Sequence, residues 1–173
     1  MEALSSMTTH ERPGVYSAYD ASTVVSGGGA GAVVGIAARS EGENNGTLFR
    51  LSRYEEAVSA FGEGDNLTAL IRLLFQNGAS QVRAVGVEGS SGYAAAFALL
   101  EGEEDIAVMT CDSTDATVHQ ALRQSVASAS QERRERIAVV EAPSTESAAQ
   151  LVSRAGALNA ERMVLAGPAA SDG

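Results

Sequence analysis

The chain has 173 residues, 45% of them apolar, and a formal net charge of −10 at pH 7. That apolar content is enough for one ordinary core and argues against global disorder. So acidic a surface repels phosphate, which argues against nucleic acid and anionic membranes as partners. Lysine is absent, and the twelve basic residues are all arginine. Cys111 is the single cysteine, so neither a disulfide framework nor a cysteine metal cluster is available. The first residues lack the basic and apolar segments of a signal peptide, and no apolar run approaches the ~20 residues of a membrane helix. The expectation is a chain assembled in a cytoplasm, with its two glycosylation-like triplets, NGT and NLT, matching by chance.

In chain order, the first feature is HERPGVYSAYD, residues 10–20, which holds two of the four tyrosines. It has neither helical period nor the charge of a solvated tail, and reads as an extended arm. A glycine run follows, then Ala32–Ala38, short, apolar and β-branched, which reads as a buried strand. Asn45-Gly46 is a turn signal, so Thr47–Leu51 is expected to return as the second strand of a hairpin. The segment from Ser52 to Gly62 reads as a helix with Ser52 and Glu55 as its capping box and Gly62 as its stop. Leu67, Leu70, Ile71, Leu74 and Phe75 share one face of a second helix ending at Gly78.

Beyond it the pattern alternates. Strands are expected at 81–87, 105–111, 136–142 and 161–167. Helices are expected in GYAAAFALL, from Asp115 onward, and from a cap at Ser144. Such alternation with short connections predicts an α/β fold: a mostly parallel sheet with helices on both faces, preceded by an extended N-terminal arm and a β-hairpin. The expected organisation is arm and linker over 1–26, strand and hairpin over 27–51, and the α/β domain over 52–173.

Five places could carry chemistry. Gly27, Gly29 and Ala32 fit a loose dinucleotide fingerprint, but that site needs a helix to follow, and VVGIAA makes a better strand. Asp112, Asp115 and His119 stand where a strand gives way to a helix, the usual ligand position in α/β folds. Capping by Ser113, Thr114 or Asp115, with His119 as a surface residue, explains them without a ligand. The loop Gly89–Gly92 reads as a helix cap rather than an anion nest, and Cys111 as a buried small hydrophobe. Arg133, Arg134 and Arg136, interrupted by Glu132 and Glu135, read as a solvated helix end. No catalytic residues, cofactor or metal site are expected.

RPGVYSAYDAS, VVGIAA, SRYEEAVSAFG, LIRLLFQNGASQVRAVGV, DIAVMTCDST, RRERIAVVEAP and ALNAERMVLAGPAASDG occur in this order. By this order and spacing the chain resembles the tail sheath proteins of contractile phage tails and related contractile injection particles, from about Glu11 to Gly173. The resemblance implies a structural, non-enzymatic subunit that stacks with its own copies around an inner tail tube. It implies contraction that drives the tube through a cell envelope, with baseplate components as further partners and assembly in a bacterial host cytoplasm. Arg12, Pro13, Gly14, Val15, Tyr16 and Tyr19 match the family's N-terminal arm, which adds a strand to a neighbour's sheet. Family members continue past GPAASDG into a C-terminal domain. The resemblance therefore covers their N-terminal and central part, as in a truncated or split sheath, and many members carry a large inserted domain that has no counterpart here. Two other readings stand beside it: a small Rossmann-like nucleotide-binding protein, and a non-polymerising baseplate or collar interaction module.

Overall fold

The computed structural model of the protein describes residues 31–167; the arm positions Arg12, Pro13, Gly14, Val15, Tyr16 and Tyr19, and Gly27 and Gly29 of the glycine run, lie outside them. In chain order the elements are β1 (Val33–Arg39), β2 (Leu48–Leu51), α1 (Tyr54–Phe61), α2 (Asn66–Gln76), β3 (Gln81–Val87), α3 (Tyr93–Glu101), β4 (Ile106–Cys111), α4 (Ala116–Gln131), β5 (Ile137–Glu141), α5 (Ala148–Leu158) and β6 (Met163–Ala166). The six strands form one sheet in the order β2-β3-β1-β4-β5-β6. Every pairing is parallel except β2 with β3. The expected α/β sheet with helices on both faces is therefore present.

Strand alternation sorts side chains between two cores. Ile36, Ala38, Val82 and Ala84 meet α1 and α2 through Ala57, Phe61, Leu67 and Ile71. On the other face Ala37, Val85, Met109 and Val140 meet α3, α4 and α5 through Phe97, Leu122 and Leu158. Each fully buried large apolar side chain contributes roughly 1.5–3 kcal/mol. In α4 the buried positions Val118, Leu122, Ser125, Val126 and Ala129 recur at helical spacing, so its sequence writes its packing face directly.

The hairpin is not formed. β2 pairs antiparallel with β3, its Leu48 opposite Val85 and its Leu51 opposite Val82, and β3 stands between β1 and β2. The turn at Asn45-Gly46 exists but is anchored to β3: the Gly46 amide donates to the Gly86 carbonyl at 2.9 Å, and the Ser40 amide to Val87 at 3.0 Å. The chain crosses over the end of β3 and pairs with its far side. Gly86 allows that crossing, because a Cβ there would collide with the Asn45 side chain.

Two caps also move. α1 begins after Arg53, and the Ser52 amide donates to Glu56 Oε2 at 2.8 Å rather than Ser52 and Glu55 forming the box. Gly62 does end α1, at φ 95°, a backbone region that disfavours a Cβ. α5 is capped by Ser147, which forms a full box with Gln150. Ser144 instead lies in the turn closed by the Glu146 amide on Pro143. Glu146 is held there by Arg154, whose Nε sits 3.0–3.1 Å from both carboxylate oxygens.

Candidate functional site at the switch point of the sheet

From β1 the chain runs to β3 on one side, while β4 lies on the other, so the ends of β1 and β4 frame the crevice where open α/β sheets bind ligands. Asp112 sits in that crevice. Its Oδ2 accepts from the Arg39 amide at 3.0 Å and from Asn66 Nδ2 at 2.9 Å, and its Oδ1 accepts from the Tyr93 hydroxyl. One carboxylate thereby ties β1, β4, α2 and α3 together. Burial, then the bond to Asp112, pushes the Tyr93 hydroxyl far above its ordinary pKa, so Tyr93 remains a donor.

Asp65 fills the neighbouring position. It caps α2 by accepting from the Leu67 amide at 2.8 Å, and its other oxygen accepts from Ser40 Oγ at 3.0 Å and from the Glu41 amide at 2.9 Å. Beside it lies a recess of about 680 Å3 lined by Arg39, Ser40, Glu41, Gly64, Asp65, Asn66 and Glu88. A nucleotide phosphate entering it meets three carboxylates and one arginine, which opposes binding. Ala32, the described member of the glycine fingerprint, leads into strand β1, so no helix N-terminus follows it to face a pyrophosphate.

Asp115 and His119 are not brought together as an acid–base pair. Asp115 caps α4, accepting from the Thr117 amide at 2.8 Å and its hydroxyl at 2.6 Å, and these bonds hold its carboxyl below the usual range. His119 is fully buried instead of lying on the surface, because helix α5 covers its side of α4. Its Nε2 lies 2.7 Å from the Ser113 carbonyl, which makes Nε2 the protonated nitrogen, while the buried Nδ1 has no hydrogen-bond partner. Burial pushes the Cys111 thiol up to about 11, and its Sγ faces the Ser113 carbonyl at 3.7 Å, the state of an inert apolar residue. Ser90–Gly92 forms a single 3₁₀ turn leading into α3. Among the described residues no group of three or more His, Cys, Asp or Glu side chains could hold a metal ion. No helix among them is long and apolar enough to cross a membrane.

His119 gives a pH prediction. Burial lowers its pKa, outweighing the Ser113 bond; Arg154 lowers it further, while Asp115 and Glu146 raise it. The unfolded chain therefore takes up the proton first. Stability fully present above about pH 6.5 is lost as the pH falls through that value toward the folded pKa, with a slope of at most about 1.4 kcal/mol per pH unit. In urea titrations between pH 7.5 and 5, His119→Gln is expected to lose less stability than wild type. Equal slopes would show that His119 is not the source.

The arginine cluster is not one solvated helix end. Arg133 turns the chain with φ 62°, Arg134 pairs with Glu132, and Arg136 is buried. Its Nη1 donates to the Leu100 carbonyl at 3.0 Å and its Nη2 to the Glu103 carbonyl, so it caps α3 instead of ending α4. A second buried charge has a sequence signal only in hindsight: Arg83, alone in the apolar run QVRAVGV. It stands opposite Arg50 across β2 and β3. Like charges opposite one another repel, and Glu103 lies between them, bidentate to Arg50 at 2.7 and 2.8 Å and 3.2 Å from Arg83 Nε. Asp105 takes the outer end of Arg83.

No family model matches the chain, and no curated protein matches it in sequence. Solved structures do match. The chain is similar, over 92% of its length, to a chain in the cryo-EM structure of the anti-feeding prophage (AFP) helical sheath in the contracted state, at TM-score 0.57 and 22% identity. A chain of the AFP baseplate, 6-fold symmetrised, matches over the same share at TM-score 0.54 and 17% identity. The protein spans about half of those chains, 46% and 47% of their lengths. Its fold is thus one found in the sheath and baseplate of a contractile particle, the group of proteins that the sequence resembles.

Proposed function

We propose that the chain is a structural subunit, or half-subunit, of a contractile tail sheath. In this reading copies polymerise around an inner tail tube, and contraction of the polymer drives the tube through a cell envelope. The observation that carries it is the likeness to a helical sheath chain over 92% of this chain. The switch-point crevice adds support, since its Asp112 carboxylate is already spent on tying β1, β4, α2 and α3 together. No catalysis and no cofactor are assigned. Arg12, Pro13, Gly14, Val15, Tyr16 and Tyr19 form the arm that adds a strand to a neighbouring subunit, backbone bonds giving affinity and the tyrosines register. The working location is a phage tail or related particle assembled in a bacterial host cytoplasm.

The likeness to a baseplate chain favours one second reading, a non-polymerising baseplate component. Negative-stain microscopy of the full chain at high concentration, alone and with a tube protein, separates the two. Hollow cylinders or rings are expected, and they are expected to vanish on deleting residues 1–20. Uniform small particles in both samples would overturn the polymerising role and leave the baseplate reading.

A further inference from the structure

Among the described residues, the topology leaves half of one sheet face without a helix. The step from β1 to β3 moves one way along the sheet and carries α1 and α2; the steps to β4, β5 and β6 all move the other way and carry α3, α4 and α5. Right-handed crossovers moving in opposite directions place their helices on opposite faces. On the α1/α2 face, the helices of the described residues therefore cover β2, β3 and β1 only.

What is left bare is apolar. Thr110, Val139 and Val164 stand in register with Ile36, a residue of the α1/α2 core, so the row faces that side. Val108 and Ile137 form the next row, and Leu73 of α2 walls the strip. The groove between them measures about 390 Å3 and has charge only at one end, at Asp112 and Glu141. Leu73, Ile137 and Val164 are 53%, 42% and 49% exposed. A solvent-facing apolar strip of this kind marks an interaction site.

The opposite face carries the converse feature. Helix α3 has no charged residue from Tyr93 to Leu100. Tyr93, Ala96, Phe97 and Leu100 are buried, while Ala94, Ala95, Ala98 and Leu99, the last 41% exposed, form an equally apolar outer face. A helix that is apolar all round is normally covered all round.

We propose that these surfaces are the two sides of one contact: the outer face of α3 in one copy docks on the β4–β6 strip of the next. Among the described residues the strip lacks a helix and α3 lacks a cover, so each supplies what the other needs. Between chains with a net charge of −10, repulsion is least where apolar patches meet, and these are two such patches. Because they lie on opposite faces of the sheet, the contact is heterologous, each copy uses both, and an open chain of copies results. The inference rests on the sheath reading for its repeated copies and deepens it by naming where they touch.

The test is sedimentation velocity on the full chain and on Leu99→Glu and Val164→Glu, with Leu73→Glu as a second strip variant. All three positions are exposed, and circular dichroism verifies folding. Wild type is expected to form concentration-dependent species beyond the dimer, strengthened by added salt as the like charges are screened. Each variant is expected to self-associate at least about tenfold more weakly, a loss of about 1.4 kcal/mol. Mixing Leu99→Glu with Val164→Glu leaves one intact helix face and one intact strip, so heterodimers and nothing larger are expected. Variants that associate as wild type does, a mixture no larger than its components, or a wild type monomeric throughout would each overturn the contact. Cylinders formed by wild type and variants alike would overturn it while leaving the sheath reading standing. Open oligomers blocked by the variants, with no cylinder under any condition, would do the reverse.

Discussion

Replacing Arg136 with Ala is expected to cost about 3 kcal/mol, while Arg133→Ala and Arg134→Ala, three and two residues earlier, change stability little. The first substitution removes a buried guanidinium that donates to two carbonyls at the end of α3, those of Leu100 and Glu103. Both acceptors lie away from water, so losing their donor costs desolvation as well as the bonds, roughly 1–3 kcal/mol for each such group. A cavity the size of the side chain adds to it. Neither Arg133, which turns the chain, nor Arg134, which pairs locally with Glu132, holds a distant element. Urea unfolding of the three variants measures the contrast. Equal midpoints would mean that Arg136 does not cap α3.

Glu103→Ala is the second large effect, expected at about 3 kcal/mol, because it leaves Arg83 and Arg50 facing each other with one carboxylate instead of two. With the carboxylate gone, Arg83 remains buried opposite Arg50 with Asp105 as its remaining ion pair. Removing one partner of a buried ion pair leaves an uncompensated charge, which is where most of the cost arises. It follows that adding Arg83→Met should recover much of the loss, since an apolar side chain of similar length suits that site. The double variant is expected to unfold at higher urea than Glu103→Ala alone; a double variant as unstable as the sum of its parts would place the cost elsewhere. The pairing also has a pH signature. The bond from Arg50 holds the Glu103 carboxyl below its ordinary value. Its contribution is therefore present above the unfolded pKa and lost as the pH falls through the folded one.

Much of the fold was legible in the sequence by itself. The helices and strands that build the sheet are each encoded in a few consecutive residues: β-branched runs such as VVGIAA and RIAVVEA, helical spacing from Leu67 to Phe75, Asp115 ahead of α4, and Gly62 after α1. Period and capping are properties of neighbours along the chain, so they survive without any knowledge of the rest. The strand order, the burial of His119 and Arg136, and the role of Asp112 were decided only by the tertiary structure. Asp112 reaches the amide of Arg39, 73 residues away, and Arg136 reaches carbonyls 36 and 33 residues away. A strand's own residues do not say which neighbour it will take. Asn45-Gly46 makes a turn in either topology, and β3 takes the place beside β1 because α1 and α2 carry the chain back parallel to it. The same crossovers determined which half of the sheet stayed bare. Local pattern supplied the elements, and the direction of each long-range crossover supplied the surfaces.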